Sequence, residues 1–431
     1  MRVARVFFRA PMPTMAALHE DYGPTFCLNL FGDRVVSTID PETIGKVLVD
    51  RDGVFVKDWV THGLARFLGD GLLTSENPIW RRQRKLIAPS LSRRHIERYA
   101  EAMAGAAERY ADKVRAGDVV DIHADMARVT LEIVVETLFG AAFSGDPSVV
   151  GAGIDEAMHD FELLVRSWRR LVPERVPLRA RTRMEAASAA LHAQVDRIIR
   201  QRRESGELGD DLLSRLLAAR DESGAAMDDT QLRNEALTLF VAGHETTANA
   251  LTFALKLLAE HPEIDAKLKA EVAEVLGGRR PTAADLAQLP YTDAVVKEAL
   301  RLYPPAYIIG REATRATELG GWTIPEKTTV LVSSWVLHMQ PSLYDDPMAF
   351  DPQRWLDGRT DGLPRHAYLP FGGGPRICVG NHFAMMEASL VLATLAQRLR
   401  FERTERDPLP LQYAVTLRPA RPLPMRARVL A

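Results

Sequence analysis

The sequence predicts a mainly α protein with small β-sheets. Three observations carry that reading. Apolar residues recur at helical spacing over most of the 431 residues. One helical pattern runs unbroken from Asp228 to His261, long enough to span the diameter of a domain. Strand-like alternation is confined to short pieces at 25–31, 34–38, 322–324 and 328–335. No Gly/Ser linker, low-complexity block or internal repeat divides the chain, so a single domain over 1–431 is expected.

Each element has a local reason. The Asp40-Pro41 pair is a helix start signal, so Pro41 to Val49 opens a short helix. Residues 78–90, 93–116, 121–139, 150–170 and 181–204 read as helices, with Asp121 as an N-cap. Asp228 and Asp229 supply a cap and negative charge to the first turn of the longest helix, and Pro262 stops it. The strand at 25–31 carries Cys27, which is expected in the core.

Composition excludes several classes. The chain is 46% hydrophobic and 26% charged, which is ordinary for a globular protein, and its net charge of −2 gives no global sign of nucleic-acid binding. Two cysteines make no disulfide framework and point to the cytoplasm. The start, Met1 to Arg9, reaches Pro11 without an apolar run long enough for a signal segment or a membrane anchor. The basic runs Arg81-Arg82-Gln83-Arg84-Lys85 and Arg200-Gln201-Arg202-Arg203 read as solvated helix faces, Arg84 excepted.

The most informative segment is Phe371-Gly372-Gly373-Gly374-Pro375-Arg376-Ile377-Cys378-Val379-Gly380. It presents one cysteine in a glycine-rich turn just before a helical pattern that begins at Asn381. A helix N-terminus stabilises negative charge, and hence a thiolate. Glycines let the backbone turn and let a flat ligand approach. Such a cysteine suits axial ligation of haem iron. Phe371, Gly374, Arg376, Cys378 and Gly380 satisfy F-x-x-G-x-R-x-C-x-G in full. The segment resembles the haem-binding signature of the cytochrome P-450 monooxygenases.

The central helix carries a second segment. In Phe240-Val241-Ala242-Gly243-His244-Glu245-Thr246-Thr247, polar residues and a glycine interrupt an apolar pattern. His244-Glu245 invites a zinc reading, but H-E-x-x-H needs a histidine where Ala248 stands. Ala242-Gly243-x-Glu245-Thr246-Thr247 is similar instead to the family's oxygen-activation motif. That resemblance implies that Ala242 and Gly243 flank the haem and Gly243 leaves room for O2. It makes Thr246 a hydrogen-bond donor to the activated oxygen and Glu245 part of a proton relay.

Further segments match in the family's order. Glu298 and Arg301 share one helix face at i, i+3. They are similar to the family's E-x-x-R, completed by Arg354 in Phe350-Asp351-Pro352-Gln353-Arg354-Trp355, and are expected to form a buried structural network. Trp80 and Arg84 resemble the W-x-x-x-R helix. With Arg376 and Arg311 they are expected to hold the two propionates.

The resemblance implies the cytochrome P-450 fold, with haem b (iron protoporphyrin IX) between the long central helix and the cysteine-loop helix. It implies a monooxygenase that inserts one atom of O2 into a hydrophobic small molecule such as a terpenoid, fatty acid or steroid. No fused reductase is expected, so electrons come from a separate ferredoxin and ferredoxin reductase, docking where Arg81, Arg82 and Lys85 add positive charge. A monomer is expected. The start is abrupt for this family, which leaves room for a short natural extension.

The expected pocket includes Phe240, Tyr307, Ile308, Ile309 and Thr416, with Tyr307 and Thr416 as its polar members. Two alternatives stay open on the residues alone. One is a haem-thiolate isomerase or peroxygenase that uses neither O2 nor partner electrons. The other is a non-enzymatic haem-binding sensor. The pair Glu245-Thr246 counts against both.

Overall fold

The computed structural model of the protein describes residues 10–30, 32–140, 147–165, 178–206, 208–405 and 407–430. The start of the chain, Met1 to Arg9, and the end of the helix expected at 150–170 lie outside the described residues.

The central helix is Asp229–Glu260, capped by the Asp228 carboxylate, which accepts the Gln231 N–H at 2.8 Å. It packs against helices Ile122–Phe139, Arg179–Ser205, Pro290–Leu302 and Asn381–Arg398. Leu232, Leu251 and Phe253 are fully enclosed, each such side chain contributing about 1.5–3 kcal/mol of burial. Most faces of this helix are therefore covered, which makes any open stretch along it informative.

The other expected helices form at Pro41–Val49, Ile79–Ile87, Ala100–Lys113, Ile122–Phe139, Pro147–Val165 and Arg179–Ser205. Short 3-10 turns at Ala88–Leu91 and Glu97–Tyr99 break two of the longer patterns. Pro89 accounts for the first break, because it offers no N–H to continue an α-helix.

A five-stranded sheet runs Thr25–Leu30, Asp33–Thr38, Thr329–Val332, Ile309–Ala313, Phe55–Lys57 across its width. Its last pair is antiparallel and sets Lys57 directly opposite Arg311. The strand expected at 328–335 ends at Val332 and turns into the short helix Ser334–His338. Cys27 corrects the sequence expectation: it is exposed, because the pleat turns Phe26 inward and Cys27 outward.

Candidate functional site

The loop before helix Asn381–Arg398 is closed by its own backbone: the Cys378 N–H donates to the Phe371 carbonyl at 2.9 Å. Gly374 has φ +67°, and a Cβ there would lie 2.1 Å from the Leu48 carbonyl oxygen, so no other residue fits. Protein surrounds Cys378 closely, yet the residue keeps accessible surface. The two facts agree if its open side faces an interior space rather than the outside of the molecule.

Burial pushes the Cys378 thiol up, outweighing the Gly380 N–H and the Arg84 guanidinium, which pull it down. A metal cation bonded to this sulfur would supply the charge that burial withholds.

Arg84 donates to the Ile377 carbonyl at 2.8 Å, which ties it to the cysteine loop. The Arg376 guanidinium lies 4.6 Å over the Trp80 ring and pairs with Glu76. Buried Trp80 donates no hydrogen bond among the described residues, although a buried indole N–H ordinarily finds an acceptor.

Sequence reasoning missed Lys57, which joins this cluster. Its ammonium is buried and donates to the Leu72 and Ser75 carbonyls at 3.0 and 2.6 Å. Burial and repulsion from Arg376 and Arg311 push its pKa down to about 7. Burial and Arg376 push Arg311 down to about 10. Like charges directly opposite on a strand pair are destabilising. Lys57, Arg311 and Arg376 gather near the Glu76 carboxylate, with Asp58 and Asp50 also acting on Arg311, and this cluster of cations fits an incoming pair of carboxylates such as haem propionates.

On the central helix, Leu239, Ala242, Gly243 and Thr246 recur at i, i+3, i+4, i+7 and form its open stripe. Ala242 is exposed although Val241 and His244 are buried. A Cβ on Gly243 would meet Val134 at 3.2 Å, so this glycine lets helix Ile122–Phe139 come close.

Thr246 donates to the Ala242 carbonyl at 2.5 Å. This central helix also packs on the cysteine-loop helix Asn381–Arg398, where the buried Glu387 faces Thr247. His244, the position between the motif residues, is buried with its Nε2 3.1 Å from the Ala127 carbonyl. Glu245 turns away from Thr246 and accepts the Thr416 hydroxyl at 2.7 Å and the Arg418 guanidinium at 3.0 Å.

Three pocket expectations are corrected. Phe240 is 2% exposed and packs on Phe139 and helix Arg179–Ser205, because it lies about 200° around the helix from Ala242. The Tyr307 hydroxyl is committed to the Ala414 carbonyl at 2.7 Å, and its ring packs on Tyr413. Thr416 spends its hydroxyl proton on Glu245. Ile308 and Ile309 stay half-buried, and Ala306 is exposed.

Glu298, Arg301 and Arg354 are brought together and are 0%, 0% and 2% exposed. Glu298 Oε1 accepts from Arg301 Nη2, Arg354 Nε and the Asp351 N–H; Oε2 accepts from Arg301 Nε and Trp355 Nε1. Arg301 Nη1 continues to the His338 carbonyl at 2.9 Å. The Leu369 N–H donates to His338 Nε2 at 2.9 Å, just before the cysteine loop begins. His338 Nδ1 faces the Arg301 carbonyl at 3.2 Å; burial and Arg301 hold this histidine neutral, at about 3. No motif marks His338 in the sequence, because its role depends on two segments far away in the chain.

Comparison with known proteins agrees with this geometry. The cytochrome P450 family model matches residues 6–424. The chain is 38% identical to cyclooctatin synthase of Streptomyces melanosporofaciens, over 98% of this chain and 92% of that one. It is 36% identical to cyclooctat-9-en-7-ol 5-monooxygenase of the same organism, over 91% of this chain and 85% of that one. It is 36% identical to pentalenene oxygenase of Streptomyces avermitilis, over 91% of this chain and 86% of that one. With a cysteine loop closed by its own backbone, a cluster of cations near it and a match along nearly its whole length, this chain belongs to the cytochrome P450 family, the haem-iron monooxygenases.

Proposed function

We propose that this P450 hydroxylates a terpenoid hydrocarbon or a sparingly oxygenated terpenoid, using haem b and electrons from a ferredoxin and its reductase. The observation that carries the site is the open sulfur of Cys378 on a helix packed against the central helix, whose open stripe is Leu239-Ala242-Gly243-Thr246. The printed names of the relatives, an alkene and an alkenol among them, favour the terpenoid class. The open positions Leu73, Ala306, Ile308 and Ala242 are apolar, as such a substrate requires.

Cys378 would hold the iron; Trp80, Arg311, Arg376 and Lys57 would hold the propionates. Haem with a thiolate ligand activates O2 and favours O–O cleavage. One oxygen atom enters a C–H bond and the other leaves as water, consuming two electrons and two protons. The chain supplies the proton path. The Thr246 hydroxyl keeps acceptor capacity while it donates to Ala242, and it rotates to donate toward the open side. Glu245 sits one residue earlier and faces a polar flank, so it exchanges protons that the apolar side cannot provide.

The ferredoxin would dock near the cysteine loop. Arg82 is tied to Asp221 and Lys85 to Glu222, which leaves Arg81 and Arg84 as the cations of that run without an acidic partner among the described residues, and Arg84 is held by the Ile377 carbonyl. Two free cysteines fit a reducing cytoplasm.

Cys378→Ser tests the assignment. The reduced CO complex should lose its red-shifted, thiolate-type Soret band, and product formation with a surrogate ferredoxin and NADPH should stop. A variant that kept that band would overturn the ligand assignment.

A further inference from the structure

We propose that Glu235 is a positioning residue that seats the turn 69–75 on the central helix. Through that turn it sets how far Leu73 reaches over the open stripe, and so the size of molecule admitted there. The proposal rests on the reading of Leu73 as part of the apolar wall of the substrate space. Glu235 lies seven residues before Ala242, so the two differ by about 20° around the helix and about 10 Å along it. It therefore belongs to the face that carries Leu239, Ala242, Gly243 and Thr246, two turns earlier. There the stripe is closed: Glu235 is fully enclosed, and the turn lies against it.

Several contacts make the seat. Glu235 Oε2 accepts the Leu72 N–H at 2.9 Å. Asn234, with its amide oriented to satisfy both ends, accepts the Asp70 N–H at 3.2 Å and donates to the Thr230 carbonyl at 3.2 Å. Gly71 lies against Thr238: a Cβ there would stand 2.8 Å from the Asn234 carbonyl oxygen and closer still to the Thr238 hydroxyl. Gly69 has φ +69°, and a Cβ there would collide with the Asn234 amide. These contacts fix which helix residues the turn meets. From another side, the Lys57 ammonium takes the Leu72 carbonyl at 3.0 Å. Both peptide planes that flank Leu72 are thus held by buried side chains, one on a strand and one on the central helix. Leu73 comes next and is 37% exposed. Its side chain goes where the Leu72 backbone sends it.

The Glu235 contact uses one oxygen. Oε1 has no hydrogen-bond partner among the described residues, and neither has the Thr238 hydroxyl. Buried polar atoms without partners are uncommon and call for a reason. For Glu235 the reason is a neutral acid: burial pushes it up to about 8, against the pull of the Leu72 N–H and Lys57. At neutral pH it carries its proton, offers an acceptor to the turn and buries no charge. Glutamine copies those properties, and leucine does not.

The test compares wild type with Glu235→Leu, Glu235→Gln, Gly71→Ala and Leu73→Ala as holoproteins. One readout is hydrogen exchange of the segment 69–75. The other is the ratio of dissociation constants for 4-phenylimidazole and imidazole, taken from the Soret shift. The ratio reports the space over the haem, because imidazole alone controls for access to iron. Leu73→Ala should shift the ratio toward 4-phenylimidazole by about tenfold. Glu235→Leu and Gly71→Ala should shift it the same way by about threefold or more, with exchange of 69–75 faster by about tenfold. Glu235→Gln should stay within about twofold of wild type in both readouts.

If Leu73→Ala leaves the ratio unmoved, the reading of Leu73 as a wall fails. If Leu73→Ala moves it and Glu235→Leu does not, the role of Glu235 is overturned. That role is overturned as well if Glu235→Gln behaves as Glu235→Leu, because an acceptor at this position would then not matter. Should Glu235→Leu yield no holoprotein, Gly71→Ala and Glu235→Gln still decide: wild-type exchange and an unmoved ratio in Gly71→Ala overturn the seat.

Discussion

Glu298→Gln should cost this protein most of its stability, although the substitution changes little in volume. Glu298 accepts hydrogen bonds from Arg301, Arg354, Trp355 and the Asp351 backbone. Glutamine removes the charge and turns one acceptor oxygen into an NH2 group that faces donors. Breaking a buried ion pair costs about 3–5 kcal/mol. Each stranded donor adds about 1–3 kcal/mol, but these terms are not additive, because neighbours relax together. We expect a loss of about 5 kcal/mol against a total stability of roughly 5–15 kcal/mol.

The damage should reach the haem. Arg301 holds the His338 carbonyl, and His338 accepts the Leu369 N–H at the entry to the cysteine loop. The assay is thermal unfolding of the holoprotein at one scan rate, with haem occupancy read from the reduced CO band. The apparent Tm should fall by roughly 5 °C, with occupancy well below wild type. A Tm within about 2 °C of wild type and full occupancy would refute the reasoning. It would mean that the carbonyls of His338, Pro347 and Ala349, which Arg301 also reaches, satisfy the arginine without the carboxylate.

Two further outcomes are expected. Thr246→Ala should keep haem and substrate binding but lower product per NADPH roughly tenfold, with hydrogen peroxide taking up the difference; Thr246→Ser should restore coupling. Lys57→Met should change the protons exchanged when haem loads. Lys57 sits at about 7 in the fold, depressed from 10.5, so at pH 8.5 it is mostly neutral and propionates would recharge it. Wild type should then take up close to one proton more than Lys57→Met at pH 8.5, and almost none more at pH 6, where Lys57 already holds its proton. Equal proton exchange in both proteins at pH 8.5 would remove Lys57 from the propionate cluster.

The sequence by itself determined the elements and singled out the cysteine loop. Helical spacing, the Asp228 cap and Pro262 bounded the central helix nearly to the residue, because caps and breakers act locally. Cys378 was legible because a glycine-bounded loop before a helix is a local arrangement, and Gly374 is demanded by its own φ as well as by Leu48. Glu298 and Arg301 were legible as a pair because helical spacing puts i and i+3 on one face.

The tertiary structure decided what each side chain faces. Phe240 and Ala242 lie two residues apart, yet one is packed against Phe139 and the other is open, a difference that depends on which neighbouring helix covers which side. Gly243 serves a helix contact that no single-helix pattern reveals. Lys57 meets Arg311 only through strand register, and Arg418 meets Glu245 only because a hairpin near the end of the chain folds back onto the central helix. Electrostatics and burial depend on distances in space, and residues far apart in the chain set those distances. For the same reason burial by the whole fold pushes the Cys378 thiol up, against the Gly380 N–H and the Arg84 guanidinium that pull it down.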